Sequence, residues 1–236
     1  MKKFLRFFVA VMLLVIPNMV KADTLSHIPE NPKKAMIIIH GYGGDGHRLS
    51  WMTDVLKNAM PDTAFYYPTA PDNAPSGGYQ WFAIPHLGER IKEKALYDLM
   101  MTDALKNVRR IHYLVDEIHD DLKIPYENIY VSGFSQGGLM ALLTVLTNNN
   151  HLTKAVSFSG VPLLFTSDFT KETIKNRAQI LLIQGTADRV IPEDSLDMTS
   201  STLYQLKIKP TIKEISGMGH QINSEAMKYM LEFVTN

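Results

Sequence analysis

The stretch 129–143, IYVSGFSQGGLMALL, decides how this chain is read. Its first four residues are a short apolar, β-branched and aromatic run that stops at a glycine, the pattern of a buried strand. From Gln136 onward the residues are apolar and free of proline, which predicts a helix over about 136–147. Between the two lies Gly133-Phe134-Ser135-Gln136-Gly137, a G-x-S-x-G sequence at a strand-to-helix turn. The spacing has a steric reason: a serine on so sharp a turn needs neighbours without Cβ two residues to either side. The turn lifts the serine oxygen clear of the sheet. It also sets that oxygen at a helix N-terminus, where free N–H groups and the helix dipole favour developing negative charge. Ser135 is therefore the candidate nucleophile. Ser132 and Ser159 lack the context, and the alternative for Ser135 is a plain glycine-rich turn.

Working outward, further apolar runs at 35–39, 63–67, 155–158, 180–183 and 211–215 read as strands. Helical periodicity falls between them at about 49–60, 98–123, 194–206 and 223–235. In the longest, Leu105, Val108, Ile111, Val115, Ile118 and Leu122 form one stripe, read as core packing. This alternation predicts βαβ units, a mostly parallel central sheet and helices on both faces. Ligands in such sheets bind beyond the C-terminal strand ends. Residues 23–34 show no period and read as a leader. The stretch 68–97, rich in Pro, Gly and aromatics, is long enough for a functional loop.

A serine needs an adjacent base, and the base needs an orienting carboxylate. After a nucleophile of this type they follow in the order Ser…Asp…His, each beyond a later strand. Asp188, in GTADRVIP (185–192), is the first acid after the strand at 180–183. Asp194 and Asp197 open a helix, where acids serve as caps, and Asp168 is the main competitor. Of the 8 histidines, only His220, in SGMGH (216–220), both follows Asp188 and sits just after a strand.

Acyl transfer also requires N–H donors for the oxyanion. One is expected from the backbone of Gln136. The second is expected from HGYGGDG (40–46), with Tyr42 as the donor and His40 as scaffolding. This loop lacks the Lys-Ser/Thr of a P-loop and the G-x-G-x-x-G spacing, so a phosphate cradle is disfavoured.

With 236 residues the chain has room for one sizeable domain. Its 24 basic and 24 acidic residues give no basic excess for a nucleic acid. It has no cysteine, which excludes a Cys nucleophile, Cys-ligated metal and a lipid-modified Cys. The first 22 residues stand apart: Lys2, Lys3 and Arg6, an apolar run over 7–16, then Val20-Lys21-Ala22 with small residues at −3 and −1. This layout predicts a secretory signal over 1–22, cleaved after Ala22, and a single catalytic domain over 23–236. The run is short of the roughly 20 residues a permanent span needs; an uncleaved anchor or a misassigned start codon is the alternative. Cleavage would remove Lys2, Lys3, Arg6 and Lys21 and no acid, leaving a net charge of about −4. The expected location is the periplasm or the exterior, with no permanent membrane anchor.

Taken together, HGYGGDG, YPTAP (67–71), QWF (80–82), GFSQGG (133–138), GTADRVIP and GMGH (217–220) resemble the phospholipase/carboxylesterase branch of the α/β-hydrolases, the group that includes acyl-protein thioesterases. The resemblance implies the α/β-hydrolase fold, a triad of Ser135, Asp188 and His220, and oxyanion donors at Tyr42 and Gln136. It also implies that Trp81 lies beside the acyl site, binding substrate. It implies neither cofactor nor metal. The chain departs from the family at Tyr42 and the added glycine, where HGLGD is usual, and at Gln184, where histidine is common. Most of the family is cytosolic, so the signal-like segment is the larger departure.

The expected activity is hydrolysis of carboxylic esters, thioesters or lysophospholipids with one acyl chain or a small acyl group. No insertion is long enough for a true-lipase lid. The alternatives are a serine peptidase of the same fold, which typically carries an added domain, and an exported non-catalytic binding protein.

Overall fold

A computed structural model describes residues 24–84 and 94–236. The signal-like segment and His86 lie outside the described residues. Seven strands form the main sheet in the order β1-β3-β2-β6-β7-β8-β9. They are β1 (Thr24–His27), β2 (Lys34–Ile39), β3 (Thr63–Pro68), β6 (Ile129–Phe134), β7 (Lys154–Phe158), β8 (Gln179–Gly185) and β9 (Thr211–Ile215). All pairings are parallel except that of β1 with β3. The two-residue strands β4 (Asp72–Asn73) and β5 (Tyr79–Gln80) pair as a separate hairpin.

The helices are α1 (Met52–Ala59), α2 (Lys94–Leu122), α3 (Gln136–Thr147), α4 (Ser195–Gln205) and α5 (Ser224–Thr235). Alternation along the strands sorts the core into two layers. In β2, Ile37 and Ile39 face α2 and α3, joining Ile111, Val115, Leu139 and Leu142. Met36 and Ile38 of the same strand face α1 and α5, joining Met52, Leu56, Met227 and Met230. A strand buried on both faces reads as a continuous apolar run, which is why KAMIII shows no polar alternation. Helix α3 is buried along nearly its whole length, between the sheet and α2, and its sequence is correspondingly apolar all round.

Three expectations change. Residues 24–27, expected as part of an unstructured leader, form β1, in register with β3 from Thr24 opposite Pro68 to His27 opposite Phe65. This edge strand is largely exposed, so burial imposes no apolar alternation on it. The long helix starts by Lys94 rather than near 98. The stretch 68–97, read as irregular, contains the β4–β5 hairpin. All the loops that carry the candidate site residues leave the sheet at its C-terminal edge.

Candidate active site

Ser135 occupies the turn between β6 and α3 with φ 57° and ψ −116°. A non-glycine residue there costs about 1–3 kcal/mol and persists only where its surroundings impose it. Here they do. The Ser135 N–H donates to Phe158 O at 2.9 Å, and Ser135 O accepts from Gly138 N at 3.0 Å and Val161 N at 3.2 Å. A Cβ on Gly133 would sit 2.0 Å from Gly137 O. A Cβ on Gly137 would sit 2.0 Å from Ile39 O, at the end of β2. The second glycine is thus demanded by the neighbouring strand, not by the turn itself.

Asp188 and His220 sit on the loops after β8 and β9, which are stitched together. Ala187 N donates to Met218 O, Thr186 N to Ile215 O, and Gly217 N to Thr186 Oγ1, at 2.9–3.0 Å. His220 Nδ1 donates to Asp188 Oδ2 at 2.8 Å. The other carboxylate oxygen, Oδ1, accepts from Val190 N at 2.9 Å and Ile191 N at 3.1 Å. The Asp188 side chain is fully shielded from solvent and that of His220 is 17% exposed. Burial pushes the Asp188 carboxyl up, but the hydrogen bonds from His220, Val190 and Ile191 outweigh it and hold the group below its ordinary range. With Nδ1 committed to the carboxylate, Nε2 is the free nitrogen. The imidazole packs against the Phe134 ring, with centroids 4.6 Å apart.

Ser135 and His220 line one cavity of about 480 Å³, walled by Leu49, Trp51, Ile84, Val161, Ile191 and Ile222 and by the loop from Gly41 to Gly44. In that loop Gly43 N donates to Tyr79 O at 2.8 Å and Gly44 N to Gly41 O at 3.2 Å. Among the described residues the Tyr42 N–H has no such internal acceptor. A Cβ on Gly41 would lie 3.1 Å from Ser135 Cβ, so the loop runs directly against the serine. The Gln136 N–H is the first of α3 and has no acceptor within the helix. Tyr42 lines the cavity with Ser135, and Gln136, whose N–H is left over at the start of α3, directly follows the serine in the chain.

A model of the phospholipase/carboxylesterase family matches residues 26–236. The chain belongs to this family. It is 27% identical over 238 residues to a probable carboxylesterase SOBER1-like of Arabidopsis thaliana, covering 95% of this chain and 86% of that protein. It is 28% identical over 225 residues to acyl-protein thioesterase 1 of Candida albicans, covering 89% and 95%. The crystal structure of esterase PE8 superposes with a TM-score of 0.78 at 24% identity, covering 90% and 96%, which shows the shared fold.

Within this phospholipase/carboxylesterase chain, Trp81 stands apart from its expected place. It does not line the cavity. Its ring is 1% exposed, packed against His40 with centroids 5.4 Å apart, and Nε1 donates to His40 O at 2.9 Å. Its backbone N–H donates to Gln136 Oε1 at 3.0 Å, and Gln136 Nε2 donates to Phe82 O at 2.8 Å. The Gln136 side chain thus clamps 81–82 onto the nucleophile helix. His40 is the other organiser: its Nε2 accepts from Ala70 N at 3.0 Å, which leaves the proton on Nδ1 to donate to Gly41 O at 2.7 Å. Burial lowers the His40 pKa and keeps the ring neutral. Trp81, His40 and Gln136 hold the Tyr42 loop from behind.

The competitors lie elsewhere. Asp168 accepts from Thr102 Oγ1 at the side of α2. His112 bonds Thr144 O, His119 bonds Ile124 O and His151 bonds Asn176 Oδ1. Arg48, which also lines the cavity, escapes sequence reasoning, because a single cation after a glycine-rich loop has no telling period or spacing.

Proposed function

We propose that this protein is a serine carboxylesterase that cleaves esters or thioesters of small or single-chain acyl groups through an acyl-enzyme on Ser135. The observation that carries the reading is the 2.8 Å bond from His220 Nδ1 to Asp188 Oδ2, with His220 and Ser135 lining one cavity. The family membership and the names of the relatives support it, and they favour neither the peptidase nor the binding-protein alternative.

In the proposed reaction, Ser135 Oγ attacks the ester carbonyl as His220 Nε2 takes its proton. Asp188 holds the Nδ1–H tautomer and stabilises the imidazolium. The carbonyl oxygen becomes an oxyanion facing the N–H groups of Tyr42 and Gln136, each donor being worth about 2.7–4 kcal/mol. His220 returns its proton to the departing alkoxide or thiolate. Water then enters, gives a proton to His220 and attacks the acyl-enzyme, and the acid leaves as Ser135 recovers its hydrogen. Leu49, Ile84, Val161 and Ile222 supply apolar surface for the acyl chain.

We further propose export from the cytoplasm with cleavage after Ala22, on the strength of the basic start and the short apolar run in 1–22. Mass measurement of the protein recovered from each cell fraction tests this; a chain beginning at Met1 in the cytoplasm refutes it. The catalytic reading is tested with a fluorophosphonate probe and p-nitrophenyl esters of graded length beside a peptide amide. Wild type is expected to be labelled and to turn over the esters, and Ser135→Ala to do neither. Equal labelling of the two proteins would refute the assignment.

A further inference from the structure

The wall of the Ser135 cavity contains a charge that ester hydrolysis does not require. Arg48, itself exposed to solvent, lines it beside Leu49 and Trp51, and among the described residues the same wall carries no Asp or Glu. The backbone of Arg48 is pinned by the preceding turn: its N–H donates to Asp45 O at 3.1 Å and Asp45 Oδ1 at 3.2 Å. Among the described residues its guanidinium has neither a hydrogen bond nor an ion-pair partner. Asp45, the neighbouring acid, makes no ion pair with it. The Asp45 Oδ1 atom is occupied by the N–H groups of His47 and Arg48, and the residue borders a separate hollow with Thr69 and Tyr79. Elsewhere the cavity offers apolar wall, peptide groups, the His220 ring and the uncharged side chains of Tyr42, Ser135 and Gln221. An arginine so placed is a receptor for a planar or tetrahedral anion, since its fork of N–H donors matches carboxylate and phosphate.

We propose that Arg48 selects substrates in which the ester is joined to an anionic group, a carboxylate or a phosphate, alongside the apolar chain. This inference rests on the proposed ester hydrolysis at Ser135 and narrows its substrate class. Neutral lipid esters are then the poorer substrates. The Arg48 charge at the cavity wall also draws anions toward the serine, an effect that salt weakens.

The test compares kcat/KM for matched pairs of esters. Mono-p-nitrophenyl adipate against p-nitrophenyl hexanoate places a carboxylate on the acyl side. A carboxy-substituted nitrophenyl hexanoate against the same neutral ester places it on the leaving group. Lysophosphatidate against a monoacylglycerol of equal chain length supplies phosphate. Each anionic-to-neutral ratio is taken for wild type and for Arg48→Gln, so that the intrinsic reactivity of each ester cancels. The expected result is a ratio roughly three- to tenfold higher in wild type for at least one pair. The difference should shrink in high salt and be partly restored by Arg48→Lys. Equal ratios in both proteins for all three pairs would overturn the proposal. A binding measurement separates it from the catalytic reading: calorimetry with hexylphosphonate and hexanol on Ser135→Ala, with and without Arg48→Gln. Arg48-dependent phosphonate binding without any ester turnover would sink the ester hydrolysis and leave the anion site standing. Turnover with no dependence on Arg48 would do the reverse.

Discussion

Asp188 holds His220 with one oxygen and the backbone with the other: Oδ2 meets Nδ1 at 2.8 Å, while Oδ1 accepts from the N–H groups of Val190 and Ile191. The carboxylate is therefore fixed by its own loop before it orients the imidazole. Removing its charge removes more than a contact. In Asp188→Asn the amide can present N–H to the ring and stabilise the wrong tautomer. We expect kcat for a p-nitrophenyl ester to fall by about 10³–10⁴, with KM nearly unchanged. A loss below tenfold would place the orienting acid elsewhere.

The same group predicts a pH dependence of stability. Its folded-state pKa lies below the ordinary value of 3.8. The stabilisation is therefore present at pH above that value and is lost as pH falls below it, through the lower folded-state value. The stability difference between wild type and Asp188→Asn, read from urea midpoints, should shrink as pH falls below about 4. A difference that is flat across that window contradicts the shift.

His40 titrates with the opposite charge and the same direction of pH effect. Burial lowers its pKa below 6.5, so the folded state resists its protonation. Its contribution is complete above about pH 6.5 and is lost as pH falls through and below that value. Protonation would place a proton on Nε2, which accepts from Ala70 N. Acid loss of stability between about pH 6.5 and 5 should be shallower in His40→Asn than in wild type. His112, half-buried and also with a lowered pKa, adds a similar slope that the variant leaves in place.

The Gln136 side chain spans two buried backbone groups, Trp81 N and Phe82 O. Truncation in Gln136→Ala orphans both, at about 1–3 kcal/mol each. We expect a clear fall in thermal midpoint and reduced kcat, because the clamp that holds 81–82 behind the Tyr42 loop is lost while the Gln136 N–H remains. Gln136→Glu should be worse, since it sets a carboxylate against Phe82 O. Unchanged stability in the alanine variant would mean that water satisfies these groups.

Two glycines give a graded test of the turn. Gly137→Ala forces a methyl to within 2.0 Å of the Ile39 carbonyl, which cannot yield without moving β2. Gly217→Ala meets no atom within 4 Å and suffers only its φ of 72°, a cost of about 1–2 kcal/mol. Urea unfolding should show Gly137→Ala as the more damaged by several kcal/mol, or as insoluble. Comparable midpoints would refute the steric account of G-x-S-x-G.

The strands that carry the site were legible because they are buried on both faces and so read as apolar runs. Strand β1 was not legible, because an exposed edge strand is under no such constraint. The order Ser135, Asp188, His220 could be read along the chain, because each residue follows one of those runs. Trp81 lies buried behind the cavity, a placement its sequence context does not decide. An aromatic in QWF reads equally as acyl-pocket lining or as core, and only its contacts with His40 and Gln136 separate the two. Arg48 left no mark in the sequence at all.

By itself the sequence determined the local chemistry: a serine that needs glycine neighbours, an acid and a base each beyond a strand, and a glycine-rich loop beside them. Those are short-range demands of sterics and periodicity. Tertiary structure decided which distant groups meet. It gave Gly137 its reason in the Ile39 carbonyl, closed Asp188 onto His220 across the paired loops, turned Trp81 inward, and set Arg48 in the wall of the cavity that holds Ser135. Such pairings depend on packing between segments far apart in the chain, and no pattern within one segment encodes them.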